Sequence, residues 1–497
     1  MNVILAGYNV DRDVLDELKA GSAPRLDVTP EILSAAYARI SRDPRPANEL
    51  RRAARAEVEA ARRSNRTIIF RMGHQSVAEH AVFNFDILGI SRLAIEEIER
   101  FRLGSYTEKS QRYIALGNDF VVPAELAADA NRELFLATVR AQNALYHDLL
   151  ARLRSHVLRR NAALAADPAG HALPDGAAKE DARYIVSLAT EGQLGMTVNA
   201  RTLELMIRRL AARPLAELRE LRRCLYDAAR EVAPSLLRYT EASAFDAESA
   251  SRRAASAGEA GTPSARRKAR GKAARLADAT PDGDGRILAA ILHGEPEAGY
   301  GEAFDRLAAL PLRRKRALFR RVLAGLEFYD APPREFEFAD LTFELTLSAS
   351  CFAQLKRHRL ATLIVQPYDP ALGATVPPSV VAAGAEREFR AMIARTDAAH
   401  AALKARVGPA ADYVLTNAHR RRALLKVNLR ELYHISRLRE DAAAQWDIRA
   451  LVAEMSALAR KAFPLAGMLL GGKDAYPAIQ ARVFGRPPAA VPPRSLK

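Results

Sequence analysis

The stretch Gly104-Ser105-Tyr106-Thr107-Glu108-Lys109-Ser110-Gln111-Arg112-Tyr113 gathers small, hydroxyl and cationic residues directly after Arg100 and Arg102. A phosphate dianion needs such a set: hydroxyl and backbone donors, with a guanidinium that can bind it bidentately. The competing reading is a loop whose arginines pair with Glu97, Glu99 and Glu108. Ser110 could serve as a nucleophile, but no partner base stands at an identifiable spacing, and loops mixing Ser with Arg more often bind phosphate. His74 and His80 lack a third ligand at suggestive spacing, so no metal is expected. Gly467 to Lys473 (GMLLGGK) fits Gly-x-x-x-x-Gly-Lys. Asp474 follows where Ser or Thr is required and no strand precedes, so it is not read as a P-loop.

The elements that would position these residues occur twice. Val82-Phe83-Asn84-Phe85-Asp86-Ile87 alternates as a half-buried strand, and Gly89 is expected to break it. Ser91 is placed to cap a helix running through Leu93, Ile95, Ile98 and Phe101 and ending in Arg100-Phe101-Arg102. Leu341 to Leu347 alternates more cleanly, and a helix from about Ser350 ends in Arg357-His358-Arg359. Asn199-Ala200-Arg201 and Asn428-Leu429-Arg430 each open a later helical stretch. The shared order and spacing indicate a tandem duplication. On one helix, Gln354 and Arg357 would share a face. The first half carries an extra stretch, Asn161 to Lys179, that reads as a surface loop.

Composition sets the frame. The chain has 497 residues, 49% hydrophobic and 27% charged, enough for more than one core. No apolar run is long enough for a membrane helix. The first residues lack a basic leader, so no secretory signal is expected. Two cysteines, Cys224 and Cys351, exclude a disulfide framework, and a reducing cytoplasm is the expected compartment. The net charge of +16 favours an anionic partner, yet six cations fall between Ala265 and Arg275. That segment belongs to a stretch, residues 243–285, rich in Ala, Ser, Gly, Arg and Asp, which reads as a mobile basic linker able to touch nucleic acid non-specifically. The expected order is a first repeat (1–242), the linker (243–285), a second repeat (286–480) and a Pro-rich tail (481–497). The Arg-rich Leu312 to Arg321 reads as a solvated face, and Trp446 as core packing.

Taken together, Gly73-His74-x-Ser76-x-x-Glu79-His80, Gly89-x-Ser91-Arg92, Ser105-Tyr106-x-Glu108-x-Ser110-x-Arg112-Tyr113, Gln354-x-x-Arg357-His358-Arg359, Asn428-x-Arg430 with Arg439, and Ala444-Gln445-Trp446-Asp447-Ile448-Arg449 resemble the flavin-dependent thymidylate synthases. The resemblance spans about Ala35 to Pro234 and Phe328 to Pro464. It implies an α+β fold, an antiparallel sheet with helices in each repeat. It also implies transfer of a one-carbon unit from methylenetetrahydrofolate to dUMP, with FAD reduced by NADPH supplying hydride. By resemblance, His74, Ser76, Glu79, Asn199, Arg201, Arg357, His358, Arg359, Asn428, Arg430 and His434 take FAD-side positions. Glu108, Ser110, Arg112, Arg183, Gln354, Arg357 and Arg439 take dUMP-side positions, and Ser110, Arg357, His358 and Arg439 are the catalytic candidates. The family's tetramer would become a homodimer acting as a pseudo-tetramer.

The departures from the pattern are complementary. In the first repeat the central His is Phe101, the Gln position is Glu97, and the later Arg is Leu210 unless a gap brings in Arg209. In the second, Val365, Pro367 and Asp369 replace the Glu, Ser and Arg of the phosphate loop; proline lacks an N–H and aspartate repels phosphate. One composite pocket is therefore expected, joining Glu108, Ser110, Arg112 and Arg183 to Gln354, Arg357 and Arg439. The alternative is a degenerate paralogue that binds flavin or nucleotide without turnover, or an interaction protein.

Overall fold

The structure, a computed structural model, describes residues 1–21, 28–126, 129–160, 172–261, 272–295 and 299–486. Two four-stranded antiparallel sheets organise it. The first contains β1 (Asn2–Tyr8), β2 (Val82–Ser91), β3 (Gly104–Glu108) and β4 (Glu191–Asn199), in the order β1-β2-β4-β3. The second contains β5 (Ala274–Ala279), β6 (Asp340–Ser348), β7 (Thr362–Val365) and β8 (Arg420–Asn428), in the order β5-β6-β8-β7. The alternation read from the sequence is the cause: Phe83, Phe85 and Ile87 are buried, as are Leu341, Phe343, Leu345 and Leu347, while Asn84 and Asp86 face solvent.

The central strands of each sheet launch helices from opposite ends. Ser91 pairs with Glu191 and Val82 with Asn199; in the second sheet Ser348 pairs with Arg420 and Asp340 with Asn428. Each launching residue is an N-cap. Ser91 Oγ accepts from Ala94 N (3.0 Å), Asn199 Oδ1 from Thr202 N (2.9 Å), Ser348 Oγ from Cys351 N (3.0 Å) and Asn428 Oδ1 from Glu431 N (2.8 Å). Gly89 does not break β2. It adopts φ +66° at a register shift between Leu88 and Ile90, and the strand runs on to Ser91.

The helices end earlier than the sequence pattern suggested. Arg92–Ile98 and Ala349–Leu355 each stop before the Arg-x-Arg triplet. His358 N bonds to Leu355 O (3.1 Å), a tight turn that follows the helix, so Gln354 and Arg357 are not on one helical face. The expected linker is also narrower than its composition implied. Its flanks form the Ala244–Glu259 helix and β5, the latter paired to β6 with Ala274 in the core and Leu276 and Ala279 packed against it. Residues 262–271, its most basic part, lie outside the described residues, as does the tail from 487. Of the expected surface loop at 161–179, residues 161–171 lie outside the description and the remainder opens the Ala172–Ala182 helix.

The compact units do not coincide with the sequence repeats. One unit comprises residues 1–150, 185–266 and 387–416; the other comprises 151–184, 267–386 and 417–497. Each repeat thus gives one segment to the unit built on the other repeat's sheet. In the first unit, buried Gln142 donates to Thr396 Oγ1 (2.8 Å), fastening the second repeat's Glu386–Val407 helix to the first repeat's Asp129–Arg160 helix. In the second, Trp446 Nε1 donates to Asp181 Oδ1 (2.7 Å). The core of this second unit gathers Phe343, Phe352, Leu432, Ile448 and Met455 beneath the sheet.

Candidate active site

The second unit holds the denser constellation. Arg439, the last residue of the Leu429–Arg439 helix, donates from Nε to His358 Nε2 (2.9 Å) and from Nη2 to the backbone oxygen of Gln354 (3.2 Å). Because Nε2 of His358 is an acceptor here, its proton sits on Nδ1, facing Glu431 Oε1 at 3.8 Å. Burial, with the positive charge of Arg439 and the neighbouring His434, holds His358 down at about 3. The imidazole is neutral through the physiological range and braces Arg439; it is not a proton donor of ordinary strength. Glu431 is 6% exposed and burial raises it to about 7. His434 lies 5.7 Å from His358, ring centre to ring centre, and is also shifted down by burial. Arg357 and Arg359 are exposed on either side of buried His358.

A second network joins the first through Gln354. The carboxylate of Asp447 accepts from Ser348 Oγ (2.6 Å) and Tyr184 Oη (3.0 Å). Gln445 Nε2 donates to Tyr184 Oη (2.6 Å), and Gln354 Nε2 donates to Gln445 Oε1 (3.3 Å). Tyr184 stacks on Trp446 with ring centres 5.6 Å apart, so Trp446 is half-buried at a helix start rather than a core residue. Arg183 is 6% exposed beside Tyr184, and its backbone oxygen accepts from Asn417 Nδ2 (3.0 Å). The fold therefore brings Arg183, a residue of the first repeat, into the same unit as Gln354, Arg357 and Arg439.

The first unit repeats this frame with different contents. Glu217 accepts from Ser91 Oγ (2.6 Å) and Tyr413 Oη (2.6 Å), as Asp447 does from Ser348 and Tyr184. Tyr413 is preceded by Asp412, which stands 16 residues before Asn428 just as Arg183 stands 16 before Asn199. Asp412 pairs with His400 (2.9 Å) and Lys404 (3.2 Å). This loss escaped the sequence reading, although equal spacing to the Asn landmark could have shown it. Glu97 is held by Arg100 and Arg213, each at 2.8 Å, and Leu210 is buried in the core. Arg209 does not substitute for it; its guanidinium turns toward Asp246 (3.8 Å).

The remaining predicted residues fall as follows. Glu108 ends β3 and lies 3.7 Å from Arg92. Ser110 Oγ accepts from the backbone N–H groups of Arg112 (3.2 Å) and Tyr113 (3.3 Å), shaping the turn, and Arg112 lies over the Tyr113 ring. His74 and Ser76 are exposed, while Arg201 bonds to Glu79 (2.5 Å) and Asn199 serves as a cap. Arg430 donates to Pro332 O (2.8 Å) and approaches Glu337. In the second repeat's altered loop, Arg421 lies over the ring of Tyr368 (4.2 Å) and bonds to Gln366 O (2.9 Å), and Asp369 caps the short turn Pro370–Leu372. The Gly467–Lys473 stretch packs on the end of the Leu429–Arg439 helix. Gly471 N donates to Ser436 Oγ (2.7 Å), and a Cβ on Gly472 would meet the Glu440 backbone at 2.7 Å. Among the described residues no acidic, His or Cys cluster suits a metal ion, and no helix is long and apolar enough to cross a membrane.

The family model described as thymidylate synthase complementing protein matches residues 26–235 and again 275–465. The chain belongs to this family, as a tandem duplicate. The second match begins inside the stretch that composition assigned to a linker. Among curated relatives, the flavin-dependent thymidylate synthase of Clostridium tetani is 31% identical over 175 residues, covering 34% of this chain and 66% of the relative. That of Geobacter sulfurreducens is 35% identical over 139 residues, covering 27% of this chain and 50% of the relative. The chain thus spans about half to two thirds of these relatives' length. A crystal structure of thymidylate synthase X from Helicobacter pylori with FAD and dUMP aligns with 48% of this chain and 100% of its own, at 17% identity and a TM-score of 0.31.

Proposed function

We propose that the chain is a flavin-dependent thymidylate synthase that methylates dUMP to dTMP, with methylenetetrahydrofolate as carbon donor and NADPH as reductant. One competent site per chain would combine Glu108, Ser110, Arg112 and Arg183 of the first repeat with Gln354, Arg357 and Arg439 of the second. The observation that carries this reading is the placement of Arg183 in the unit that holds Gln354 and Arg439, while its counterpart is the acidic Asp412, bound to Lys404. FAD supplies the redox chemistry when bound. Arg357 and Arg359, exposed on either side of His358, together with Arg430 would hold the two phosphates of FAD through charge-assisted hydrogen bonds. Arg439, fixed by neutral His358 and the Gln354 carbonyl, would offer positive charge to a pyrimidine that accumulates electron density before C5 attacks. Ser110, engaged by two N–H groups, shapes the phosphate turn. Two chains would form a pseudo-tetramer.

Phe101, Glu97 and Asp412 favour a second reading, a paralogue that binds nucleotide without turnover. Purified protein incubated with FAD, NADPH, methylenetetrahydrofolate and dUMP separates the two. Formation of dTMP that disappears in Arg439→Ala supports the enzyme. A yellow protein whose flavin spectrum responds to dUMP but which forms no dTMP supports the paralogue.

A further inference from the structure

We infer that Gln354 meets its ligand as a hydrogen-bond acceptor, so that it reads a donor on the sugar or base rather than the phosphate, and that Tyr184 sets this orientation from the first repeat. The inference rests on the nucleotide reading above.

The orientation is set link by link from Asp447. Its Oδ2 accepts from both Ser348 Oγ and Tyr184 Oη. Tyr184 is fully buried and has one proton, which it gives to Asp447. Its lone pairs are then the acceptors, so the Gln445 group 2.6 Å away is the amide NH₂. Gln445 Oε1 consequently turns to the start of the Trp446–Ala462 helix, where it accepts from Ile448 N (3.4 Å) as the N-cap. The Gln354 group that meets this oxygen at 3.3 Å is likewise its NH₂.

Gln354 is therefore left with its Oε1 uncommitted. The residue is 7% exposed, and this oxygen has no hydrogen-bond partner among the described residues. A buried carbonyl without a donor is costly, and a bound ligand that supplies one recovers that cost. Phosphate oxygens at neutral pH are acceptors and would face the carbonyl lone pair to lone pair. A ribose hydroxyl or the pyrimidine N3–H satisfies it. The phosphate is left to the guanidinium groups. Tyr184 acts at one remove, as a positioning residue: without its hydroxyl, Gln445 loses the partner that fixes its amide.

The test is a comparison of ligands across variants of the full-length, flavin-loaded protein. Calorimetric affinities are measured for dUMP, N3-methyl-dUMP, 2′,3′-dideoxyuridine monophosphate and deoxyuridine with the unaltered protein, Gln354→Ala and Tyr184→Phe. One of the two donor-blocked nucleotides is expected to bind roughly five- to tenfold more weakly than dUMP to the unaltered protein. That penalty should vanish in Gln354→Ala and shrink in Tyr184→Phe, while the loss on removing the phosphate stays the same in all three. Should Gln354→Ala fail to fold, the near-isosteric Tyr184→Phe carries the same comparison. Donor-block penalties unchanged by both variants, or a phosphate penalty that disappears in Gln354→Ala, would overturn the inference while leaving the nucleotide reading intact. No binding of dUMP by the unaltered protein would defeat the nucleotide reading and the inference with it.

Discussion

Replacing Glu431 by Gln should stabilise the protein at alkaline pH and have little effect in acid. Glu431 lies in the first turn after the Asn428 cap, almost wholly buried, and its charged neighbour across the gap is absent because His358 is neutral. Burial raises its carboxyl from 4.5 to about 7. The folded protein therefore keeps this proton through a range in which the unfolded chain has released it. The sign follows: the carboxyl's contribution is fully present below about 4.5 and is lost as pH rises to about 7, because folding must then hold a buried carboxylate. The displacement is worth roughly 3 kcal/mol at its upper bound. Glutamine keeps the shape and removes the titration. Melting curves of the unaltered protein and Glu431→Gln at pH 5 and pH 8 should show little difference in acid and a gain on the order of 5 °C at alkaline pH. Equal shifts at the two pH values, or a loss of stability at pH 8, would refute the reasoning.

Three further outcomes follow from the same geometry. Arg439→Lys should weaken dUMP binding by roughly tenfold or more, since one ammonium cannot serve both His358 Nε2 and the Gln354 carbonyl as the guanidinium fork does; titration of the flavin-loaded protein checks it. Tyr184→Phe should lower nucleotide affinity, whereas Tyr413→Phe, which leaves Glu217 short of a donor in the other unit, should cost roughly 1–3 kcal/mol of stability with affinity unchanged; paired denaturation and binding curves distinguish them. Chains of residues 1–261 and 272–497 expressed separately should be unstable, and co-expression should restore a folded complex, because each repeat supplies the tyrosine that the other's Ser–carboxylate pair requires; stable monomeric halves by sedimentation would count against this.

Much of the frame was legible. The period-two burial of Phe83, Phe85 and Ile87, the Ser91 cap and the duplicated Asn-x-Arg landmarks all follow from local rules that act within a few residues, whereas the second repeat's helix starts at the Ser348 cap, two residues before Ser350. Three features were not. β5 carries only small apolar residues besides Leu276, so its place beside β6 depends on a long-range pairing that composition cannot reveal. The exchange of residues 151–184 and 387–416 leaves no trace in hydrophobic pattern, because apolar spacing says which face is buried and not which sheet buries it. The turn after Leu355 is tightened by long-range partners, above all Arg439 reaching His358, so extending the helix through Arg357 overran it. Within the site, the Arg-His-Arg triplet and Gln354 were readable as residues. The Asp447–Tyr184–Gln445 chain was not, since Tyr184 lies more than 250 positions from the other two in sequence.

The two repeats are proposed to build one nucleotide site jointly. The most direct test is the stoichiometry of dUMP binding to the flavin-loaded, full-length protein, before and after Arg439→Ala. One dUMP per chain is expected in the first case and none in the second. Two dUMP per chain, or one that persists without Arg439, would contradict a joint site.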